Sequence, residues 1–110
     1  MLIEAFVLDY LKQKLDTENI YVEMPQEIPD SFAVLTVVGR GKENQIEMAT
    51  IEVQSYGITK YVAASFDELI RQAMEEINEE DVSCRFGGGN DNPDTTIKMP
   101  RYRSYFNLYF

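Results

Sequence analysis

The chain has 110 residues, with 19 acidic against 10 basic side chains and a formal charge of −9. That length builds one domain around one hydrophobic core. A content of 45% hydrophobic residues excludes a wholly disordered chain. So negative a surface repels phosphate, which argues against sequence-independent nucleic-acid binding and against docking on an anionic membrane. Cys84 is the single cysteine, so no internal disulfide can form and a reducing cytoplasm is the expected setting. The opening Met1-Leu2-Ile3-Glu4 has an early acid and no basic region before an apolar stretch, which is not the pattern of a secretory leader. No apolar run approaches the length of a bilayer span.

In chain order, Leu2, Ile3, Phe6, Val7, Tyr10, Leu11 and Leu15 recur at steps of three and four, which predicts an amphipathic helix over 2–15. Ile20, Val22 and Met24 alternate with polar neighbours and predict a short strand. Pro25 and Pro29 then bracket a loop, since proline interrupts either kind of ladder. Phe32 to Val38 is β-branched and aromatic on both faces, the pattern of a central strand that needs cover on each side. Gly39 to Asn44 predicts a charged turn, followed by a long strand from Gln45 to Tyr56. The two strands are expected to form a hairpin with an extended tip. Ile46 and Met48 break the alternation of that second strand, which predicts either a bulge or an apolar patch on its outer face.

Gly57 ends the strand and Thr59 is placed to cap a helix. Val62, Ala63, Phe66, Leu69, Ile70, Ala73, Met74 and Ile77 fall on one stripe of that helix. Two more strands are expected, one alternating Val82, Cys84 and Phe86, the other Tyr102, Phe106, Leu108 and Phe110. Gly87 to Pro100 between them is polar and reads as a long functional or flexible loop. The order is α-β-β-β-α-β-β. It predicts a single α+β domain over 1–110, with a mixed or antiparallel sheet of about five strands and both helices on one face.

Little in the chain suggests catalysis. Histidine is absent, which removes the commonest general base and, with one cysteine, the usual zinc sites and thiolate–imidazole pairs. Cys84 falls on the apolar face of a strand, where a structural cysteine is expected. Gly87-Gly88-Gly89 lacks the Lys-Ser/Thr that a phosphate-binding loop needs and opens no helix. Asp91, Asn92 and Asp94 could offer oxygens to calcium, but without the closing glutamate of an EF-hand. The run Glu75, Glu76, Glu79, Glu80 and Asp81 reads as a solvated face that opposes the helix dipole. The expectation is a protein that makes contacts, with no catalytic residues, metal or cofactor.

Contact residues are predicted on the last strand. With Tyr102, Ser104, Phe106, Leu108 and Phe110 inward, Arg101, Arg103, Tyr105, Asn107 and Tyr109 face outward, and Tyr and Arg are enriched at interfaces. This face, with the doubly apolar Phe32–Val38 strand, points to self-association. Arg40, Lys42 and Glu43 in one charged loop, and Asn90, Asp91 and Asp94 in the other, are the candidates for meeting a different partner.

The order of features resembles the tail-completion or tail-terminator proteins of long-tailed bacteriophages and prophages. The resemblance is carried by the opening helix, by Val22-Glu23-Met24-Pro25, and by Phe32-Ala33-Val34-Leu35-Thr36 running into a Gly-rich loop. Ala49-Thr50-Ile51-Glu52-Val53-Gln54-Ser55-Tyr56-Gly57, the Ala63–Ile77 helix, and Asp94-Thr95-Thr96 before Pro100-Arg101-Tyr102 complete it. It covers nearly the whole chain and contains no catalytic signature. It implies a small α+β subunit of a ring, typically a hexamer, at the head-proximal end of the tail tube. There the ring would stop tube growth and join the tail to the neck or connector. The implied location is the virion tail, assembled in the bacterial cytoplasm, and an acidic surface would let DNA pass a ring lumen without sticking. Two alternatives stand beside it: another neck or minor tail protein, and an acidic inhibitor that imitates DNA.

Overall fold

Two helices lie across one face of a five-stranded sheet, in the expected order: α1 (Ile3–Leu15), β1 (Ile20–Tyr21), β2 (Ser31–Glu43), β3 (Ile46–Gly57), α2 (Lys60–Glu75), β4 (Ser83–Asp91) and β5 (Arg101–Tyr109). The structure, a computed structural model, describes residues 2–77 and 82–110. Across the sheet the strands run β1-β2-β3-β5-β4. β1 is parallel to β2 and every other pairing is antiparallel, so the sheet is mixed.

The helices form where the 3.6-residue period puts apolar side chains on one stripe. Ile3, Val7 and Leu11 of α1 are fully buried. α1 ends at Asp16, which adopts the left-handed conformation, and the Asp16 N–H donates to Gln13 and Lys12 carbonyls. α2 starts at Thr59, whose side chain accepts from the Val62 N–H. Ala63, Ile70, Ala73 and Met74 face the core, whereas Leu69, expected on this stripe, is 52% exposed. The Tyr10 hydroxyl donates to the Ala73 carbonyl (2.5 Å) and joins the helices. Gly57 is needed where β3 turns into α2, because a Cβ there would collide with the Ala63 backbone nitrogen.

Under the helices, Ala33, Leu35, Ala49, Ile51, Val53, Phe106 and Leu108 complete the main core. A second, smaller cluster lies on the opposite face. There Phe32 stacks on Tyr56 with centroids 4.5 Å apart, and Val34, Ile97 and Met99 pack around them. The doubly apolar start of β2 is therefore covered within the chain. Its second face needs no neighbour at this end, contrary to the expectation that another subunit covers it.

Three further expectations are corrected. β1 has two residues, and Val22 and Met24 continue as exposed chain. Gly39–Glu43 is strand, not loop: β2 runs on to Glu43 and closes on β3 through Asn44 and Gln45, both at positive φ (51° and 67°), the left-handed pair that a tight hairpin turn requires. Gly87–Asp91 is likewise strand, which leaves only 92–100 as connection. Ile46 and Met48 pair in regular register with Glu43 and Gly41 and lie on the face away from Ala49, Ile51 and Val53, so they are the outer-face apolar patch and not a bulge. The bulge of this hairpin lies in β2, between Val37 and Gly39. Glu79, Glu80 and Asp81 of the acidic run fall outside the described residues.

Replacing Phe32 with Ala removes the base of the second cluster. By the usual range for buried aromatics it should cost about 3–5 kcal/mol, measurable by urea unfolding. Thr59→Ala should cost about 1 kcal/mol through loss of the cap.

Candidate interaction surface

The face of the sheet away from the helices is where the fold presents side chains outward, because period-two alternation puts residues opposite the core on it. From β3 it receives Thr50, Glu52, Gln54 and Tyr56, paired across the ladder with Asn107, Tyr105, Arg103 and Arg101 of β5. All five residues expected outward on β5 are there, with Arg101, Arg103, Tyr105, Asn107 and Tyr109 each partly exposed.

They differ in what holds them. Arg101 is committed within the chain: its guanidinium donates to the Asn92 carbonyl and to Asn92 Oδ1, both at 2.8 Å, and to Gln54 Oε1 at 3.2 Å. It also reaches the Tyr56 hydroxyl at 3.3 Å and Asp94 Oδ2 at 3.5 Å. The Tyr56 hydroxyl in turn donates to Asp94 Oδ2 at 2.9 Å. This clasp fastens the connection 92–100 over Phe32 and Tyr56. Arg103 is held more loosely. Its Nε lies 3.8 Å from Glu52 Oε2 and donates no hydrogen bond. Asn107 accepts from the Thr50 hydroxyl at 2.8 Å. Tyr105 and Tyr109 continue the strip toward the hairpin.

The two groups expected to meet a second partner sit at opposite ends of the sheet. Arg40, Lys42 and Glu43 are exposed on the last residues of β2, at the tip of the β2–β3 hairpin. Asn90 and Asp91 end β4 at the other end, beside the clasp. Asp91 pairs with Lys60 at 2.8 Å and Asp94 with Arg101, so these acids are bound to cations of the same chain. Between them a groove of about 580 Å³ opens, lined by Lys60, Pro93, Thr95, Lys98, Met99 and Pro100 among others. No group of three or more potential metal ligands is found among the described residues.

Two features escaped the sequence reading. Ile97 and Met99, spaced by two in a polar stretch, were the signal that this connection packs on the sheet. On the helix side, the Ser104 hydroxyl donates to Asp67 Oδ1 at 2.6 Å, a buried bond tying α2 to β5 that no spacing announces. Cys84 is half-buried, and burial, with the Glu75 charge, pushes its thiol up to about 12. It is a neutral thiol at physiological pH and a poor nucleophile.

The acids of the two faces titrate in opposite directions. Burial alone would raise the Asp94 carboxyl. Hydrogen bonds from the Tyr56 hydroxyl and from the Thr96 and Ile97 N–H groups, with the Arg101 charge, outweigh it and hold Asp94 below its usual 3.8. Burial raises Asp67 above the same value, against the Ser104 hydrogen bond and Arg71. Ionised Asp94 therefore stabilises the fold above about pH 3.8, and that contribution is lost as pH falls through its lowered folded value. Ionised Asp67 costs stability as pH rises above 3.8, and below that pH the cost vanishes.

Asp94→Asn should accordingly destabilise at pH 7 and Asp67→Asn should stabilise. Both differences from the parent should shrink in urea titrations carried out below about pH 3.8. Equal effects at pH 7 and pH 3 would contradict this assignment.

Neither the protein-family models nor the curated proteins provide a match to this chain.

Proposed function

We propose that this chain is the subunit of a ring at the head-proximal end of a bacteriophage tail tube, where it stops tube growth and joins tail to head. The observation that carries the reading is the division of its surface. One sheet face is sealed by helices, while the other carries a half-open strip of Arg103, Tyr105, Asn107 and Tyr109. Exposed hairpin and 90–100 segments lie at opposite ends of a molecule 43 Å long. A ring subunit between two different partners needs such a middle surface for its own kind and two ends for the tube and the neck. The resemblance over nearly the whole chain supports the same role.

No chemistry beyond contact is proposed. The half-buried, neutral Cys84 thiol fits that reading, as does the pairing of Asp91, Asp94 and Glu52 with Lys60, Arg101 and Arg103. Those ion pairs also leave fewer free carboxylates for imitation of a DNA backbone, so the ring is preferred to the inhibitor. DNA would pass the lumen without being held, repelled by a net charge of −9.

The decisive experiment is electron microscopy of particles assembled without this protein. Tails of uncontrolled length support termination. Tails of normal length that fail to join heads indicate a neck role, and normal infectious particles overturn both. In solution, light scattering should show an oligomer whose fraction rises with concentration, and Tyr105→Asp should reduce that fraction without loss of helical signal.

A further inference from the structure

The sheet has two open edges. β1 covers β2 at Ala33 and Val34, and among the described residues no strand lies beside β2 from Leu35 to Glu43. β4 closes the opposite side and has β5 on one flank only, over Ser83–Asp91. Edges carry unpaired backbone N–H and C=O groups that template a further strand. These two stretches are of equal length, and each contains a single bulge, at Val38 in one and at Gly87 in the other.

The bulges decide which partner fits. The Ala33 N–H donates to the Asn19 carbonyl, so Ala33 points its backbone groups at the β1 side. By alternation Leu35 and Val37 do the same, and beyond the bulge the register passes this role to Arg40 and Lys42. On the other edge, Asn92 donates to the Arg101 carbonyl, which fixes the alternation there. Residues 84, 86, 89 and 91 point away from β5. Edge-directed positions thus follow the spacing two, three, two on both strands. The same residues are those on the helix side of the sheet.

We infer that β2 of one copy pairs antiparallel with β4 of a second copy, Leu35 opposite Asp91 and Lys42 opposite Cys84. In that register all edge-directed groups face each other, enough for about eight hydrogen bonds. The helices of both copies stay on one side, because each bulge cancels the side-chain reversal caused by the other. A straight strand would lose sidedness halfway. A parallel copy would have to turn its helices to the other face. Val38, 51% exposed, comes to lie against Gly88, which has no side chain and open space beside it. The interface is head-to-tail, so repetition closes into a ring or runs on as a filament. The inference rests on the self-association in the proposed function and adds to the strip on the face an edge-to-edge contact, so that Tyr105→Asp and a link across the edges report on separate surfaces.

Gly41 and Arg85 would oppose each other as a non-hydrogen-bonded pair, with Cα atoms about 4.5 Å apart, within reach of a disulfide. The test mixes Gly41→Cys protein with Arg85→Cys protein, both in a Cys84→Ser background, under mild oxidation. The expected result is a reducible 41–85 dimer formed about tenfold more than the 43–85 dimer from Glu43→Cys, whose offset exceeds disulfide reach. Lys42→Pro, which removes an edge N–H, should lower oligomer formation at unchanged circular dichroism. Absence of the 41–85 link, or equal linking of both pairs, overturns the edge pairing. A ring seen without the link leaves the proposed ring standing, and linked open filaments without a ring leave the pairing standing and sink the ring.

Discussion

A sheet covered by helices on one face has to deal with the other, and the way this chain does so organises the molecule. β3 is hydrogen-bonded on both flanks, to β2 and to β5. Its helix-side residues Ala49, Ile51 and Val53 are sealed by α1 and α2. On the opposite face only one end is closed, by the 92–100 connection drawn over Phe32 and Tyr56. The Arg101 clasp holds that cover, because it satisfies the partly buried polar groups that meet there, Asn92 and Asp94 of the connection and Gln54 and the Tyr56 hydroxyl of β3. A partly satisfied network of this kind would cost more than an apolar one. Without the clasp, the second cluster would face water and the outer face would be open along its whole length.

Much of this was legible in the sequence wherever burial imposes a period. Ile3, Val7 and Leu11, and Ala63, Ile70 and Met74, recur at helical steps because each helix has one side in the core. Ser104, Phe106 and Leu108 alternate because β5 has one face under the helices. Legibility failed where strands leave the core. Gly39–Glu43 and Gly87–Asp91 carry glycine and charge, which read as loop, yet backbone pairing with β3 and β5 extends each of them as strand without apolar cover. Leu69 was misplaced for the converse reason, an apolar residue at a helical step whose side chain stays half exposed. The outward direction of β5 could be read from alternation. That Arg101 is occupied while Arg103 is loosely held could not, since the difference comes from Asn92 and Asp94 folding back.

The polar pairs divide in the same way. Asp67 and Ser104 lie in the seam between α2 and β5, where a hydrogen bond offsets only part of the desolvation of the carboxylate. Exposed pairs such as Lys14 with Glu76 contribute little to stability.

The strand order has a kinetic side. β2 and β3 form one hairpin through Asn44 and Gln45, and β4 and β5 form another through the 92–100 segment. Both are local in sequence, and hairpins close in about 1–10 μs. Joining them along β3 and β5 is the long-range event, and α2 is the tether that spans it. The time to the native state should then be set by one search, the docking of two preformed halves across a helix, and not by the separate threading of five strands.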